Sequence, residues 1–139
     1  MKWDQVTFER LLVALILLLA VGVRLFNLGR APLSDGEASW ALQSLSIARG
    51  APVEIGPQPG EVSLTGLAFM LFGSSNFMAR LYSALAGIAL VAAPLLFKRR
   101  LGSLATLILM AGLALDPGLV VMSRTAGGPM GAIGFGALA

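Results

Sequence analysis

The chain has 139 residues, 57% of them hydrophobic and 12% charged, with a net charge of +3 and a mean hydropathy of +0.85. That apolar share exceeds the roughly 45–50% of soluble domains and points to an all-α integral membrane protein. The lack of Cys and His excludes disulfides, thiolate nucleophiles, imidazole bases and the usual zinc ligands. The basic residues sit at the ends of apolar runs rather than in a stripe with aromatics, which argues against nucleic acid as a partner.

The first apolar run, residues 11–23, covers only about 20 Å at about 1.5 Å per residue, short of a hydrocarbon core of about 30 Å. With its flanks it becomes a span over residues 6–28, Arg10 and Arg24 snorkelling towards headgroups. A signal peptide is the competing reading, with Lys2 and Arg10 before the run and Ala20-Val21-Gly22 as a cleavage site. Asp4 and Glu9 cancel its charge, and further apolar runs follow.

Residues 29–79 form a long loop with two helices of their own. Ala38, Ala41, Leu42, Leu45 and Ala48 recur at helical spacing and predict an interfacial helix over 36–49. Ser34-Asp35-Gly36-Glu37 fits a capping box at its start, which accounts for Glu37 but not for Asp35. Trp40 reads as an interfacial anchor. Pro52, Gly56, Pro57, Pro59 and Gly60 mark a loop, and residues 62–72 are apolar but too short to span, so they read as a second interfacial or re-entrant helix.

The second span is predicted over 81–97 and the third over 101–122, joined by the basic turn Lys98-Arg99-Arg100 as an antiparallel hairpin. Asp116-Pro117-Gly118 breaks or ends the third. Ala84, Gly87 and Ala105 suit close helix packing. Residues 128–139 look like the start of a fourth span. The expected architecture is thus about three transmembrane helices and part of a fourth. The dense basic turn is placed in the cytoplasm with the N-terminus, and the Asp35 loop outside.

In order, R-L-x-x-L-G-x-x-P-L-x-D-x-E-A-x-x-A-L from Arg24, a Pro-rich loop, L-F-G-x-S at 71–75, A-R-L-x-S-A-L-A-G at 79–87 and D-P-G-L-V-V-M-S-R at 116–124 resemble the GT-C membrane glycosyltransferases. Within these, the pattern is similar to the protein O-mannosyltransferases and aminoarabinose transferases, and it covers almost the whole chain as the N-terminal portion of a longer enzyme. The resemblance implies transfer of a sugar from a polyprenyl-phosphate donor to an acceptor on the external face of a bacterial plasma membrane. No cofactor is expected beyond that lipid-linked donor, and no residue is assigned to a metal. An acid in the first external loop is the family's candidate base, which maps to Asp35 first and Glu37 second, Gly36 separating acids that are usually adjacent. Arg30, Arg80 and Arg124 are the candidates for the donor phosphate. On its own this portion is expected to be inactive. The alternative is a small non-catalytic membrane subunit packed against a larger membrane partner.

Overall fold

The computed structural model describes the backbone of residues 2–54 and 56–137, and the side chains of 8–54, 56–134, 136 and 137. All regular structure among these residues is helical: α1 Lys2–Leu25, α2 Asp35–Ala48, α3 Pro59–Phe72, α4 Asn76–Ala92, a 3-10 segment Ala93–Phe97, α5 Lys98–Leu101, α6 Ser103–Leu115, α7 Pro117–Ser123 and α8 Met130–Gly136.

Local chemistry sets the boundaries. Ser34 caps α2, its side chain accepting from Glu37 N while the Glu37 side chain accepts from Ser34 N, so the predicted capping box forms. Pro59 starts α3 ahead of residue 62, since a proline in the first turn has no amide hydrogen to leave unpaired. Ser75 caps α4 by accepting from Met78 N, which begins this helix ahead of residue 81. Pro94 lies in the 3-10 turns that carry α4 into α5. Gly102, at φ +81, then ends α5 in a conformation that a side chain would resist. Asp116 accepts from Leu119 N and Pro117 opens α7, so α6 and α7 are bent by 59° at the step where the sequence predicts a break.

Among the described residues, the run Asn76–Leu101 is long and apolar enough to cross a membrane, and α6 with α7 would do so as one bent pair. The expected first span over residues 6–28 begins outside the residues whose side chains are described; the described part of α1, residues 8–25, carries Glu9, Arg10 and Arg24.

The α4 helix is the hub, packing against α1, α3, α6, α7 and α8, while α2 lies on α3. Ala20, Val91 and Ala114 close the α1–α4–α6 contact. Ala84 and Gly87 are buried as expected for close packing: a Cβ on Gly87 would lie 2.6 Å from Ser123 Cβ and 3.0 Å from Arg24 Nε. Ala105 instead faces outward.

Several polar side chains are enclosed beside the apolar core, and several large apolar ones are exposed. Arg24, Ser83 and Ser123 are fully enclosed, while Leu18 is 69% and Leu104 72% exposed. Leu11, Leu15 and Leu18 make one exposed stripe on α1, and Leu104 and Ile108 another on α6. Arg24 therefore does not snorkel as expected. It turns inward and donates to Leu113 O at 3.0 Å and Ala114 O at 3.3 Å, because those carbonyls precede the Asp116 break. At the opposite end of α1, Glu9 pairs with Lys98 at 2.6 Å. The two ends of the bundle thus carry different charge clusters, as an antiparallel arrangement of α1 and α4 requires.

Candidate functional site

The capping box that starts α2 is also one side of the most connected polar site among the described residues. Arg80, one turn into α4, meets the Glu37 carboxylate as a two-pronged pair, Nε to Oε1 at 2.6 Å and Nη2 to Oε2 at 2.8 Å. Its remaining N–H groups donate to Leu28 O (3.0 Å), Ala31 O (2.9 Å) and Pro32 O (3.0 Å), so all five guanidinium donors are engaged. Glu37 also accepts from Ser34 N at 3.0 Å, Ser34 Oγ at 3.1 Å and Ala126 N at 3.0 Å. One buried ion pair thereby ties together the turn after α1, the start of α2, α4 and the loop after α7. The Arg80 hydrogen bonds, reinforced by Ser34 and Ala126, hold the Glu37 carboxyl at about 2 against the opposing effect of burial.

Asp35, two residues away, is exposed and makes no side-chain hydrogen bond. The acid pair is therefore divided, with Glu37 satisfied inside and Asp35 facing outward on the first turn of the helix. The three candidate arginines are divided too. Arg80 is spent on Glu37 and on backbone carbonyls. Arg124 donates to Val23 O and, at 2.9 Å, to Phe26 O, closing the end of α1 where a cation is favoured. Arg30 remains exposed in the turn that leads towards Asp35.

Trp40 also has a different setting from the expected membrane anchor. Its ring lies between Gly56 and Gly127; a Cβ on Gly127, whose φ is +73, would come within 2.1 Å of Trp40 Cδ1. The indole thus packs the Pro-rich loop against the loop after α7.

A second buried acid, Glu61 in the first turn of α3, was not singled out from the sequence. Its Oε1 accepts from Gly127 N at 2.6 Å and Ser83 Oγ at 3.2 Å, and Oε2 has no hydrogen-bond partner. Burial pushes this carboxyl up, against those two hydrogen bonds. Consecutive amides, Ala126 and Gly127, are thus held by two different glutamates. The signal available in the sequence was an acid opening an otherwise apolar helix, where an ionisable group has to find partners. Glu61 lines a cavity of about 320 Å³ with Gln58, Tyr82, Pro129 and Gly131. A separate apolar groove of about 300 Å³ runs between α2 and α3 past Leu33, Ala38, Leu42 and Phe69. Among the described residues no three acidic side chains converge as a metal-ligand set would.

Comparison of the chain with known protein families, with curated proteins and with solved structures found no match.

Proposed function

We propose that the chain is the N-terminal portion of a membrane glycosyltransferase that moves a sugar from a polyprenyl-phosphate donor to an acceptor hydroxyl on the external face, with Asp35 as general base. The observation that carries this reading is the division of the acid pair: Glu37 is consumed by Arg80, whereas Asp35 is exposed and uncommitted on the helix start that the ion pair ties to α4. A carboxylate so placed takes the proton of the acceptor hydroxyl as its oxygen bonds to the anomeric carbon and the carbon–oxygen bond to the lipid phosphate breaks. The leaving phosphate departs as an anion and needs little acid assistance.

A lipid surrounding is supported by the enclosed polar residues and the leucine stripes that face outward. Water would penalise such stripes, whereas acyl chains accept them, and polar groups then take partners within the bundle. The exposed Arg30 is the cation left to meet the donor phosphate, the other two candidates being tied to backbone and to Glu37.

The test is Asp35→Asn in the native protein. Transfer from a lipid-linked sugar to acceptor is expected to vanish, while membrane insertion and donor binding stay nearly unchanged. Turnover at the wild-type rate would reject the assignment. The native protein extracted from its own membranes should also have an intact mass several-fold above the 14.4 kDa of this chain. A native mass of 14.4 kDa would instead favour the non-catalytic subunit.

A further inference from the structure

The Glu9–Lys98 end of the bundle holds more positive charge than its own acid balances. Glu9 takes Lys98 at 2.6 Å. The neighbouring Arg10, Arg99 and Arg100 are exposed and make no side-chain hydrogen bond or ion pair among the described residues. The 3-10 segment, α5 and α6 carry no acid, and the described part of α1 carries none besides Glu9. Three guanidinium groups are thus left at this end without a carboxylate.

A groove of about 300 Å³ opens beside them. Val13, Ala14 and Leu17 of α1 and Leu95 of the 3-10 segment form its apolar walls, and Arg10, Glu9 and Lys98 form its charged rim. From Arg10 to Leu17 the groove follows α1 for about 10 Å, at about 1.5 Å per residue. Charge at one end and hydrocarbon along the rest call for a ligand with an anionic head and an apolar tail.

The surface around the groove points the same way. Leu11 and Leu15 on α1, and Leu96, Phe97, Leu101 and Leu104 beside the basic turn, are 45–72% exposed. The arginines therefore stand at the edge of an apolar exterior and not within a polar face. A free phosphate or an acidic protein would match the charges and leave those side chains and the groove walls unmatched. A phospholipid meets both, because the guanidinium fork suits phosphate oxygens and basic clusters at a membrane surface attract anionic headgroups.

We propose that this end of the bundle holds an anionic glycerophospholipid, its phosphate at Arg10, its charge balanced by Arg99 and Arg100, and one acyl chain in the groove past Ala14 and Leu17. The site is separate from Asp35 and takes no part in sugar transfer. It rests on the lipid surrounding proposed above and not on the transferase assignment.

The experiment is native mass spectrometry of the full chain in a neutral detergent, titrated with dioleoylphosphatidylglycerol or dioleoylphosphatidylcholine. The two lipids share their acyl chains and differ in headgroup charge. Phosphatidylglycerol is expected to bind about ten-fold more tightly or better. Replacing Arg10→Gln, Arg99→Gln and Arg100→Gln together should bring the two affinities level. Ala14→Phe fills the groove from an exposed position and keeps every charge. It should weaken phosphatidylglycerol by about ten-fold, the equivalent of about two methylenes of contact. Inorganic phosphate should not displace the lipid. Undiminished binding in Ala14→Phe would mean a diffuse attraction to basic residues, and displacement by phosphate would mean a free-anion site; either result overturns the proposal. Equal uptake of both lipids by the wild type would overturn the site and leave the lipid surrounding standing, whereas uptake of neither would overturn both.

Discussion

Two carboxylates separated by one glycine have opposite fates, and the reason is their environment. Asp35 faces outward, whereas Glu37 lies between α2 and α4 with Arg80 on one side and Ala126 N on the other. Arg80→Leu should destabilise the fold by about 3–5 kcal/mol, because it strands a buried carboxylate. Asp35→Asn removes only a favourable first-turn charge and should cost about 1 kcal/mol or less. Unfolding in detergent micelles at neutral pH separates the two. Because the Glu37 carboxyl is depressed to about 2 in the folded chain, its contribution is fully present above its unfolded value. That contribution fades as pH falls through about 4.5 towards 2 and amounts to about 3 kcal/mol. A titration of unfolding midpoint against pH should show this loss in the wild type and not in Glu37→Gln. The capping role of Glu37 is local and legible in Ser34-x-x-Glu37, whereas its partner lies 43 positions away and no local spacing predicts it.

At the scale of elements, the approach of α4 to α7 depends on the lack of a side chain at Gly87. Gly87→Ala would drive a methyl into Ser123 Cβ and against Arg24 Nε, and the expected cost is about 1–3 kcal/mol, read as a lower unfolding midpoint. The same substitution at Gly36, where an added Cβ meets nothing within 4 Å, should be neutral or slightly stabilising, since alanine is the better helix former. The helix start at Ser34 and the break at Asp116-Pro117 follow from short-range chemistry, so they are readable in one dimension, whereas α3 starts at Pro59, which the sequence reading placed in the loop. Arg24 departs from its expected place for the opposite reason: a charged side chain at a helix end can turn towards headgroups or into a neighbour. The carbonyls of Leu113 and Ala114, freed by a break about 90 residues downstream, decide for the second.

For the whole molecule, the separation of the Glu9–Lys98 end from the Glu37–Arg80 end sets a testable orientation. The chain contains no cysteine, so single replacements report cleanly. Both Ser39 and Ser103 are exposed. An impermeant maleimide should label Ser39→Cys in intact cells and Ser103→Cys only after permeabilisation. Labelling of both from one side would reject a membrane-crossing arrangement. Composition, the apolar runs, the caps and the prolines by themselves determined a helical chain and some of its helix limits, those of α2 above all, because these depend on neighbours within a few residues. Which acid is buried, which arginine is spent and which oxygen of Glu61 lacks a partner were decided only when α4 and the loop after α7 packed against α2 and α3. Hydrogen-bond satisfaction in an enclosed space depends on groups far apart in sequence, and only packing brings them within reach.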